Sequence, residues 1–319
     1  MQMGPCGVAD VIWEADDGWR FGFCVSTVND PGGWAQVLGS SWYLDWSIQP
    51  RPAHETPSHW QMVRLSESDF YPPLEEIVEN ATRFPGNVWL IGNEPDVIWQ
   101  DNTTPERYAE HYNTLYQAIK QADPSAQVSV GGIAMVSGLR LAYLDRVLEA
   151  YLGRYGEALP TDLWNIHVYI LREERDSWGV EIPPGFDVDQ GTLWEIADHD
   201  RIDLFEAQIR TFRAWMLEHG YRDRPLAITE YGILMPESYG FPGEAVQRYM
   251  IESFNRLLTL RDPELGYPAD YHRLVQQWAW FSLGNERYST SDLADLETGE
   301  LTILGETFRD CVAEVDGQR

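Results

Sequence analysis

The chain has 319 residues, of which 44% are hydrophobic and 23% are charged, a composition typical of a globular protein rather than a disordered one. The 51 acidic residues outnumber the 23 basic residues, which gives a formal net charge of −28. Such a charge repels phosphate backbones and anionic membranes, so it argues against nucleic acid or a membrane as partner and favours a neutral substrate.

Eight short apolar runs alternate with segments of helical or loop character along the chain. The runs are residues 21–26, 42–46, 61–65, 88–92, 127–131, 163–169, 226–229 and 275–280. Alternation of strand and helix patterns predicts βα units around a parallel sheet. Eight such units predict an α/β fold, a single (β/α)8 TIM barrel with enlarged βα loops, in which residues 1–319 make one domain.

The intervening segments carry helical signals. The spacing of Tyr108, Tyr112, Leu115 and Ile119 predicts a helix after the fourth strand, and similar apolar stripes predict helices over residues 141–151 and 202–216. Thr103 or Thr104 before a proline marks a helix start, and a glycine at 220 marks a helix end. Residues 49–58 contain three prolines, which favours an irregular loop between the second and third strands.

Two glutamates directly follow apolar strands, at the position where this fold places its active sites. Glu94 follows VWLIGN and precedes a proline, while Glu230 follows PLAIT and precedes Tyr-Gly. Hydrolysis of a glycosidic bond requires one carboxyl that protonates the leaving oxygen and a second that attacks the anomeric carbon. The fourth and seventh strands lie across the barrel mouth from one another, so these two carboxyls can face one substrate atom.

The sequence resembles the clan A glycoside hydrolases, whose mark is Asn-Glu-Pro after the fourth strand and a second Glu after the seventh. The matching segments are IGNEPD (91–96) and ITEYG (228–232). The resemblance implies Glu94 as acid/base, Glu230 as nucleophile and Asn93 as the residue that holds the sugar 2-hydroxyl. It also implies a retaining mechanism, which requires the two carboxyls about 5 to 5.5 Å apart.

Further segments extend the resemblance over most of the barrel. LWNIHVYI (163–170) resembles the sixth strand of the clan and implies His167 and Tyr169 near the nucleophile. QWAWFS (277–282) resembles the eighth strand and implies Trp280 as the floor of the cleaved sugar's subsite. SWYLDWS (41–47) resembles the glucan endo-1,3-β-glucosidase-like branch, which makes β-glucan the first substrate expectation.

Several other side chains are candidates for substrate contact. The chain contains 14 Trp, more than core filling explains, and flat aromatic faces stack on pyranose rings. Trp42, Trp46, Trp99 and Trp178 are expected on strand ends or loops, where about half would form sugar platforms. Arg64 and Glu67 lie around the end of the third strand and are candidates for substrate contact. For Arg64, a structural ion pair is an equally compatible role.

We expect neither a cofactor nor a metal. His54-Glu55 and His59 lack the His-Glu-x-x-His spacing of a zinc helix, and GGIAMVSG (131–138) lacks the Lys-Ser/Thr ending of a phosphate-binding loop. Two alternatives stay open: a non-catalytic carbohydrate-binding barrel, and a barrel enzyme of another class that uses a carboxylate base or a metal. The sequence leaves the sugar, its linkage, endo or exo action and the oligomeric state undecided.

Cysteine content and the N-terminus give weaker expectations. The three cysteines, Cys6, Cys24 and Cys311, argue against a disulfide framework but leave one bridge open, and Cys24 is expected to be buried. The segment MQMGPCGVAD has no basic-then-apolar signal pattern. We therefore expect a cytoplasmic protein, or a secreted or periplasmic one where a leader has been removed. No apolar run reaches the roughly 18 residues that cross a bilayer.

Overall fold

The computed structural model describes residues 17–26 and 30–317. It contains eight principal strands, one for each of the eight predicted runs. They are β1 (Phe21–Cys24), β2 (Trp42–Leu44), β3 (Gln61–Leu65), β4 (Val88–Ile91), β5 (Gln127–Val130), β6 (Trp164–His167), β7 (Leu226–Tyr231) and β8 (Gln277–Trp280). Nearly all of their residues are buried, as expected for parallel strands covered on both faces. The prediction of an α/β fold with a parallel sheet is confirmed.

Within the described residues seven α-helices follow the strands, and each begins with a recognisable signal or an apolar stripe. They are α1 (Pro31–Leu38), α2 (Leu74–Arg83), α3 (Pro105–Ala122), α4 (Gly138–Tyr155), α5 (Ile202–Glu218), α6 (Gly243–Thr259) and α7 (Ile303–Asp316). The Asp30 carboxylate accepts from Gly33 N at the start of α1, and the Thr302 hydroxyl accepts from the first turn of α7. The segment between β2 and β3 has no helix, as its prolines predict.

The strands pair into two parallel sheets. In the first, β2, β1, β8, β7 and β6 lie side by side, with the short strand Ser58–His59 next to β2. In the second, β3, β4 and β5 are parallel, and the short strand Phe70–Tyr71 pairs antiparallel with β3. Because the principal strands within each sheet run the same way, their carboxyl ends meet at a common edge.

The two sheets approach each other along both of their edges. Residues 58–59 run through Trp60 into β3, and Trp60 N donates to Tyr43 O at 3.0 Å. At the other edge, isolated parallel bridges join Ser129 to Leu163 and Ile133 to Ile166. The sheets are therefore neighbours at β2–β3 and again at β5–β6.

Two apolar layers stabilise this arrangement. The larger lies between the strands and the helices and includes Phe21, Trp89, Tyr112 and Trp278, all buried. The smaller includes Cys24, Trp42, Trp60 and Met62, and the rings of Trp42 and Trp60 stack with centroids 4.1 Å apart. Full burial of an aliphatic, Phe or Met side chain contributes about 1.5–3 kcal/mol of hydrophobic free energy.

Two smaller expectations can be compared with the structure. Cys24 is a buried free thiol, as predicted, and its Sγ donates to Thr229 O at 3.1 Å, whereas Cys6 lies outside the described residues. No helix in the described part of the chain is long and apolar enough to span a bilayer.

Candidate active site

Glu94 lies just beyond β4, in a turn that two unusual backbone conformations create. Gly92 has φ 94°. Glu94 itself has φ 45°, in the left-handed backbone region that residues with a side chain rarely adopt. Glu94 N donates to Gly132 O at 3.0 Å, which fixes the turn against the end of β5. The side chain is buried, with 8% of the residue exposed. A strained backbone at a buried carboxyl is typical of a functional site.

Glu230 lies within β7, where the strand pairing is irregular. The register with β6 shifts between Ile166 and His167, and this irregularity brings Glu230 opposite His167. Trp46 Nε1 donates to Glu230 Oε1 at 2.6 Å, and the Tyr169 hydroxyl donates to Oε2 at 3.2 Å. Both carboxylate oxygens of Glu230 therefore receive a hydrogen bond inside a buried site.

His167, at the end of β6, lies between the two glutamates. Its Nδ1 is 2.8 Å from Glu94 Oε1, and its Nε2 is 3.6 Å from Glu230 Oε1. One oxygen of each carboxylate and one ring nitrogen all lie within 4.8 Å of one another. Residues from the ends of three strands therefore meet at one point, although Glu94 and Glu230 are 136 positions apart in the sequence (230 − 94).

Burial controls the protonation of these three groups. It raises the pKa of Glu94 to about 7, although the charges of Arg140 and Arg64 oppose the shift. Burial also raises the pKa of Glu230, with Glu94 adding to the rise, while His167, Trp46 and Tyr169 oppose it. The pKa of His167 is lowered by burial, which favours the neutral imidazole. Glu94 therefore keeps its proton up to about neutral pH.

The two glutamates face a cleft of about 1000 Å³. Aromatic and aliphatic side chains make up much of its wall, with polar groups near the glutamates, as is typical of a ligand site. The lining residues include Trp46, Asn93, Val97, Trp99, Gln100, Tyr169, Trp178, Leu234, Tyr239, Phe281 and Tyr288.

Several residues that the sequence singled out come together here. Trp46, Asn93, Arg64 and Tyr169 line the cleft beside the two glutamates, and His167 lies directly behind them. Asn93 is 2% exposed, and its Oδ1 has no hydrogen-bond partner among the described residues. Such a buried, unsatisfied oxygen at a cleft is suited to accept a hydrogen bond from a ligand hydroxyl.

Arg64 combines the two roles that the sequence left open. Its Nε forms an ion pair with Asp101 Oδ1 at 2.7 Å, and its Nη2 donates to Gln100 Oε1 at 3.1 Å. Its side chain keeps 34% of its surface exposed at the cleft wall. The structural ion pair is therefore present, and the remaining exposed surface faces the cleft.

Three expected substrate contacts lie elsewhere. Trp42 is 1% exposed and stacks on Trp60 in the interior, and Trp280 is fully buried among core aromatic rings, with its Nε1 donating to Ser291 O at 2.8 Å. Both carboxylate oxygens of Glu67 accept from Thr104, so Glu67 holds the start of α3 rather than lining the cleft. These placements correct the sequence-based assignments.

The aromatic residue from the end of β8 that does line the cleft is Phe281, one residue beyond Trp280. Successive side chains along a strand point to opposite faces, so an error of one position exchanges a core residue for a cleft residue. Trp99 and Trp178 line the cleft with Trp46, so three of the four candidate tryptophans do so. No sequence signal marks Phe281 beyond its place at a strand end.

The convergence of two carboxylates and an imidazole also has the donor types of a metal site. Within residues 17–26 and 30–317, Glu94, His167 and Glu230 form the grouping of three that could hold an ion. In this arrangement the imidazole is hydrogen-bonded through Nδ1 to one carboxylate, so it offers only Nε2 to a ligand. His59, which the sequence excluded from a zinc helix, lies with its Nε2 2.7 Å from Asp45 Oδ1.

Comparison with known proteins gives a fold but no close relative. No protein-family model and no curated protein matches the sequence. A GH128 (subgroup II) endo-β-1,3-glucanase from Pseudomonas viridiflava superposes with a TM-score of 0.62 at 20% identity, over 91% of this chain and 96% of that chain.

Two further solved structures are similar. A GH128 (subgroup I) endo-β-1,3-glucanase from Amycolatopsis mediterranei, in complex with laminaritriose, gives a TM-score of 0.58 at 16% identity. A GH128 (subgroup III) curdlan-specific exo-β-1,3-glucanase from Blastomyces gilchristii, in complex with glucose, gives 0.60 at 16%. Each comparison covers 92% of this chain and 99% of the other. The chain therefore has the fold of these GH128 glucanases.

Proposed function

We propose that the protein is a retaining glycoside hydrolase that cleaves a β-linked glucan, with Glu94 as acid/base and Glu230 as nucleophile. The observation that carries this proposal is the meeting of two buried carboxylates from different strands, within 4.8 Å of one another, at a cleft of about 1000 Å³. The fold shared with β-1,3-glucanases supports the same reaction class.

We infer that the two parallel sheets together constitute one (β/α)8 barrel and that residues 1–319 act as one catalytic domain. Parallel bridges at β5–β6 and the continuous run from Ser58 into β3 support closure at both edges. The position of Glu94 and Glu230 at the carboxyl ends of β4 and β7 is where barrels of this kind carry their chemistry.

Retention is supported by the short separation of the carboxyl groups. Inverting enzymes keep their carboxyls about 6.5 to 9.5 Å apart to accommodate a water molecule, whereas retaining enzymes bring them to about 5 to 5.5 Å. An oxygen of Glu94 and an oxygen of Glu230 lie within 4.8 Å of one another. This close approach of the two carboxyl groups favours the retaining geometry.

The proposed reaction has two steps. In the first, an oxygen of ionised Glu230 bonds to the anomeric carbon while the glycosidic C–O bond breaks, and protonated Glu94 gives its proton to the leaving oxygen. In the second, Glu94, now a carboxylate, takes a proton from water as the water oxygen bonds to the anomeric carbon. The glycosyl ester breaks, and both glutamates return to their initial states.

The local hydrogen bonds suit this division of roles. Trp46 and Tyr169 each donate to the Glu230 carboxylate, which stabilises its charged form. Glu94, with a pKa raised to about 7, keeps its proton up to about neutral pH, as a general acid must. Asn93, adjacent to the acid/base in sequence, is assigned the sugar 2-hydroxyl through its free Oδ1.

We propose a β-1,3-glucan as the substrate to test first, because the similar solved structures are β-1,3-glucanases. Two of them have laminaritriose or glucose bound. The test is release of reducing sugar from laminarin and curdlan, with a panel of other polysaccharides alongside. A β-1,3-linked substrate should be turned over by the wild type, and Glu230→Gln should lose at least about 10³-fold in kcat. A Glu230→Gln variant as active as the wild type would exclude Glu230 as nucleophile.

The same experiment separates an enzyme from a non-catalytic binding barrel. A binding protein would retain glucans with equal affinity in both forms and would show no hydrolysis in either. Labelling by a 2-deoxy-2-fluoro glycoside offers a second readout, because the trapped ester should lie on Glu230 and nowhere else. Labelling of another residue would overturn the assignment.

A metal-dependent hydrolase is the second candidate, favoured by the grouping of Glu94, His167 and Glu230. It predicts that dialysis against a chelator abolishes activity and that a divalent ion restores it. The proposed double displacement predicts unchanged kcat and KM after chelation. Loss of activity on chelation, with recovery on adding metal, would favour the metal mechanism.

A further inference from the structure

A buried charge network lies directly behind the acid/base turn. Arg140, in the first turn of α4, forms an ion pair from its Nε to Asp96 Oδ2 at 2.6 Å and a second from its Nη1 to Glu173 Oε1. All three residues are fully buried. They come from three separate segments: the β4–α3 turn, helix α4 and the segment that follows β6.

Arg140 also contacts the backbone of the cleft wall. Its Nη2 donates to Val180 O at 3.1 Å, and Val180, with the neighbouring Trp178, lines the cleft. Glu173 accepts in addition from the Ser137 hydroxyl and from Thr192 N, each at 2.7 Å. The guanidinium thereby holds the long segment between β6 and α5 against the barrel.

The other end of the network reaches Glu94. Asp96 is two residues beyond Glu94 in the same turn, and its Oδ2 accepts from Ala134 N at 3.2 Å. Glu94 N donates to Gly132 O, two residues before that alanine. The turn is therefore fixed at two points to the 131–140 segment, whose last residue is Arg140.

We propose that Arg140 is a positioning residue that holds the acid/base Glu94 and the cleft wall around Trp178 as one rigid unit. This inference rests on the proposed function. A planar guanidinium with five N–H groups can hold two carboxylates and a carbonyl at once, whereas an ammonium cannot reproduce that geometry. Removing one member of a buried charge network leaves the other charges uncompensated. Loss of a single member should therefore disrupt the structure around the remaining ones.

The charges that face Glu94 come from several elements. Arg140 on α4 and Arg64 on β3 lower its pKa, and Asp101 in the β4–α3 connection raises it. His167 on β6 is hydrogen-bonded to it, and Glu230 on β7 shares the site. Asp96 has a pKa raised to about 6 by burial, with Glu94 contributing repulsion, and that repulsion is mutual.

The test compares a variant that loses the Arg140 cation with one that loses the Asp96 carboxylate. Arg140→Met/Glu173→Gln removes the cation together with one carboxylate, and Asp96→Asn removes a single negative charge. A positioning and charge role predicts that the first variant raises the pH at which the Glu94 carboxyl titrates, while the second lowers it. Carbon-13 NMR of labelled glutamate, with the Glu94 signal assigned through Glu94→Gln, measures this without reference to substrate.

Kinetics give the second readout. Arg140→Lys keeps the charge but loses the multiple contacts, so kcat should fall by on the order of 10- to 100-fold while KM changes less than about threefold. The control is Arg213→Met, which also removes a fully buried arginine. Arg213 lies on α5, away from the cleft, and donates to Leu274 O and Arg224 O. It should lower the melting temperature yet leave kcat and the Glu94 titration unchanged.

The outcomes separate the two proposals. If both network variants shift the Glu94 titration in the same direction or leave it unmoved, or if Arg213→Met changes kcat as much as Arg140→Lys, then Arg140 is only structural. Failure of the wild type on every glucan would instead reject the proposed function. The NMR titration would still report whether Arg140 governs the state of Glu94.

Discussion

At the scale of single residues, the central feature is a carboxyl that costs stability when it is ionised. Glu94 is buried in the folded protein and has a pKa of about 7 there, against an ordinary value of 4.5. Its folded-state pKa is raised, so the charged form is disfavoured by folding. The penalty is absent below about pH 4.5, where the group is protonated in both states, and it grows as the pH rises through 7.

Glu94→Gln should therefore be more stable than the wild type in alkaline buffer. A shift from 4.5 to about 7 corresponds to about 3 kcal/mol of unfolding free energy at pH 8. At pH 4 the two proteins should differ by less than about 1 kcal/mol, because the wild-type carboxyl is then neutral. Urea denaturation at both pH values measures this; a constant difference across pH would contradict the raised pKa.

The same group should set the alkaline limit of activity. Glu94 must be protonated to act as an acid, so kcat/KM should fall about tenfold per pH unit above about pH 7. The acidic limit should reflect protonation of Glu230. A pH–rate profile on laminarin checks both limits, and a substrate with an activated aryl leaving group should lose the alkaline limit, since it needs no proton from Glu94.

The sequence predicts the site residues that directly follow the end of an apolar strand. It does not distinguish between two neighbouring residues of one strand, only one of which faces the cleft. Glu94 and Glu230 were predicted from apolar runs followed by Pro or Gly, and the structure brings them together. Trp280 and Phe281 are adjacent aromatics, and the sequence contains no feature that decides which one faces the core. Burial by neighbouring strands decides it.

At the scale of elements, the segment that follows β5 has two glycines with no room for a side chain. A Cβ on Gly132 would lie 2.7 Å from His167 Nε2, and a Cβ on Gly131 would lie 2.5 Å from Gly92 O. The glycines that open GGIAMVSG therefore serve close packing against the turn that holds Glu94. The sequence showed the motif but gave no reason for it once a phosphate-binding loop had been excluded.

Gly132→Ala should impair catalysis more than it impairs folding. The added methyl group would push His167 away from Glu94 and Glu230, so kcat should fall by about 10²-fold. Gly153→Ala in helix α4 is the control, because its Cβ would meet no atom within 4 Å. It should raise the unfolding free energy by about 0.5–1 kcal/mol without altering kcat. Equal kinetics for the two variants would contradict the role of Gly132.

All eight principal strands could be predicted because each is a short apolar run between turn or loop signals. The helices α3, α4 and α5 could be predicted from apolar stripes. The short strands at Ser58–His59 and Phe70–Tyr71, and the long connection between β6 and α5, could not. Their conformations depend on tertiary contacts, such as Arg140 with Glu173, that join residues distant in sequence.

At the scale of the whole molecule, the chain carries a net charge of −28, yet the cleft does not share that excess. The ionisable residues along its described lining include two arginines, Arg64 and Arg287, as well as Glu94 and Glu230. A neutral glycan therefore meets little electrostatic opposition within the cleft itself. A polyanionic chain must still approach through the field of the surrounding surface.

Substitution of the substrate with carboxylates should reveal that field. We expect kcat/KM on carboxymethylated β-1,3-glucan to rise severalfold between about 10 and 150 mM salt, as the Debye length falls from about 30 to about 8 Å. Turnover of unsubstituted laminarin should stay constant over the same range, which makes it the control. An equal salt response for both substrates would rule out a long-range electrostatic cause.

The hydrogen bond from Trp46 to Glu230 has an optical consequence. Indole emission depends on the charge next to the ring nitrogen, and here that charge belongs to the proposed nucleophile. Neutralisation of Glu230, by a proton or by a covalently attached sugar, should change the fluorescence of Trp46. Difference spectra against Trp46→Phe would separate this signal from the other tryptophans, so that formation and breakdown of the intermediate could be followed in real time without a labelled substrate.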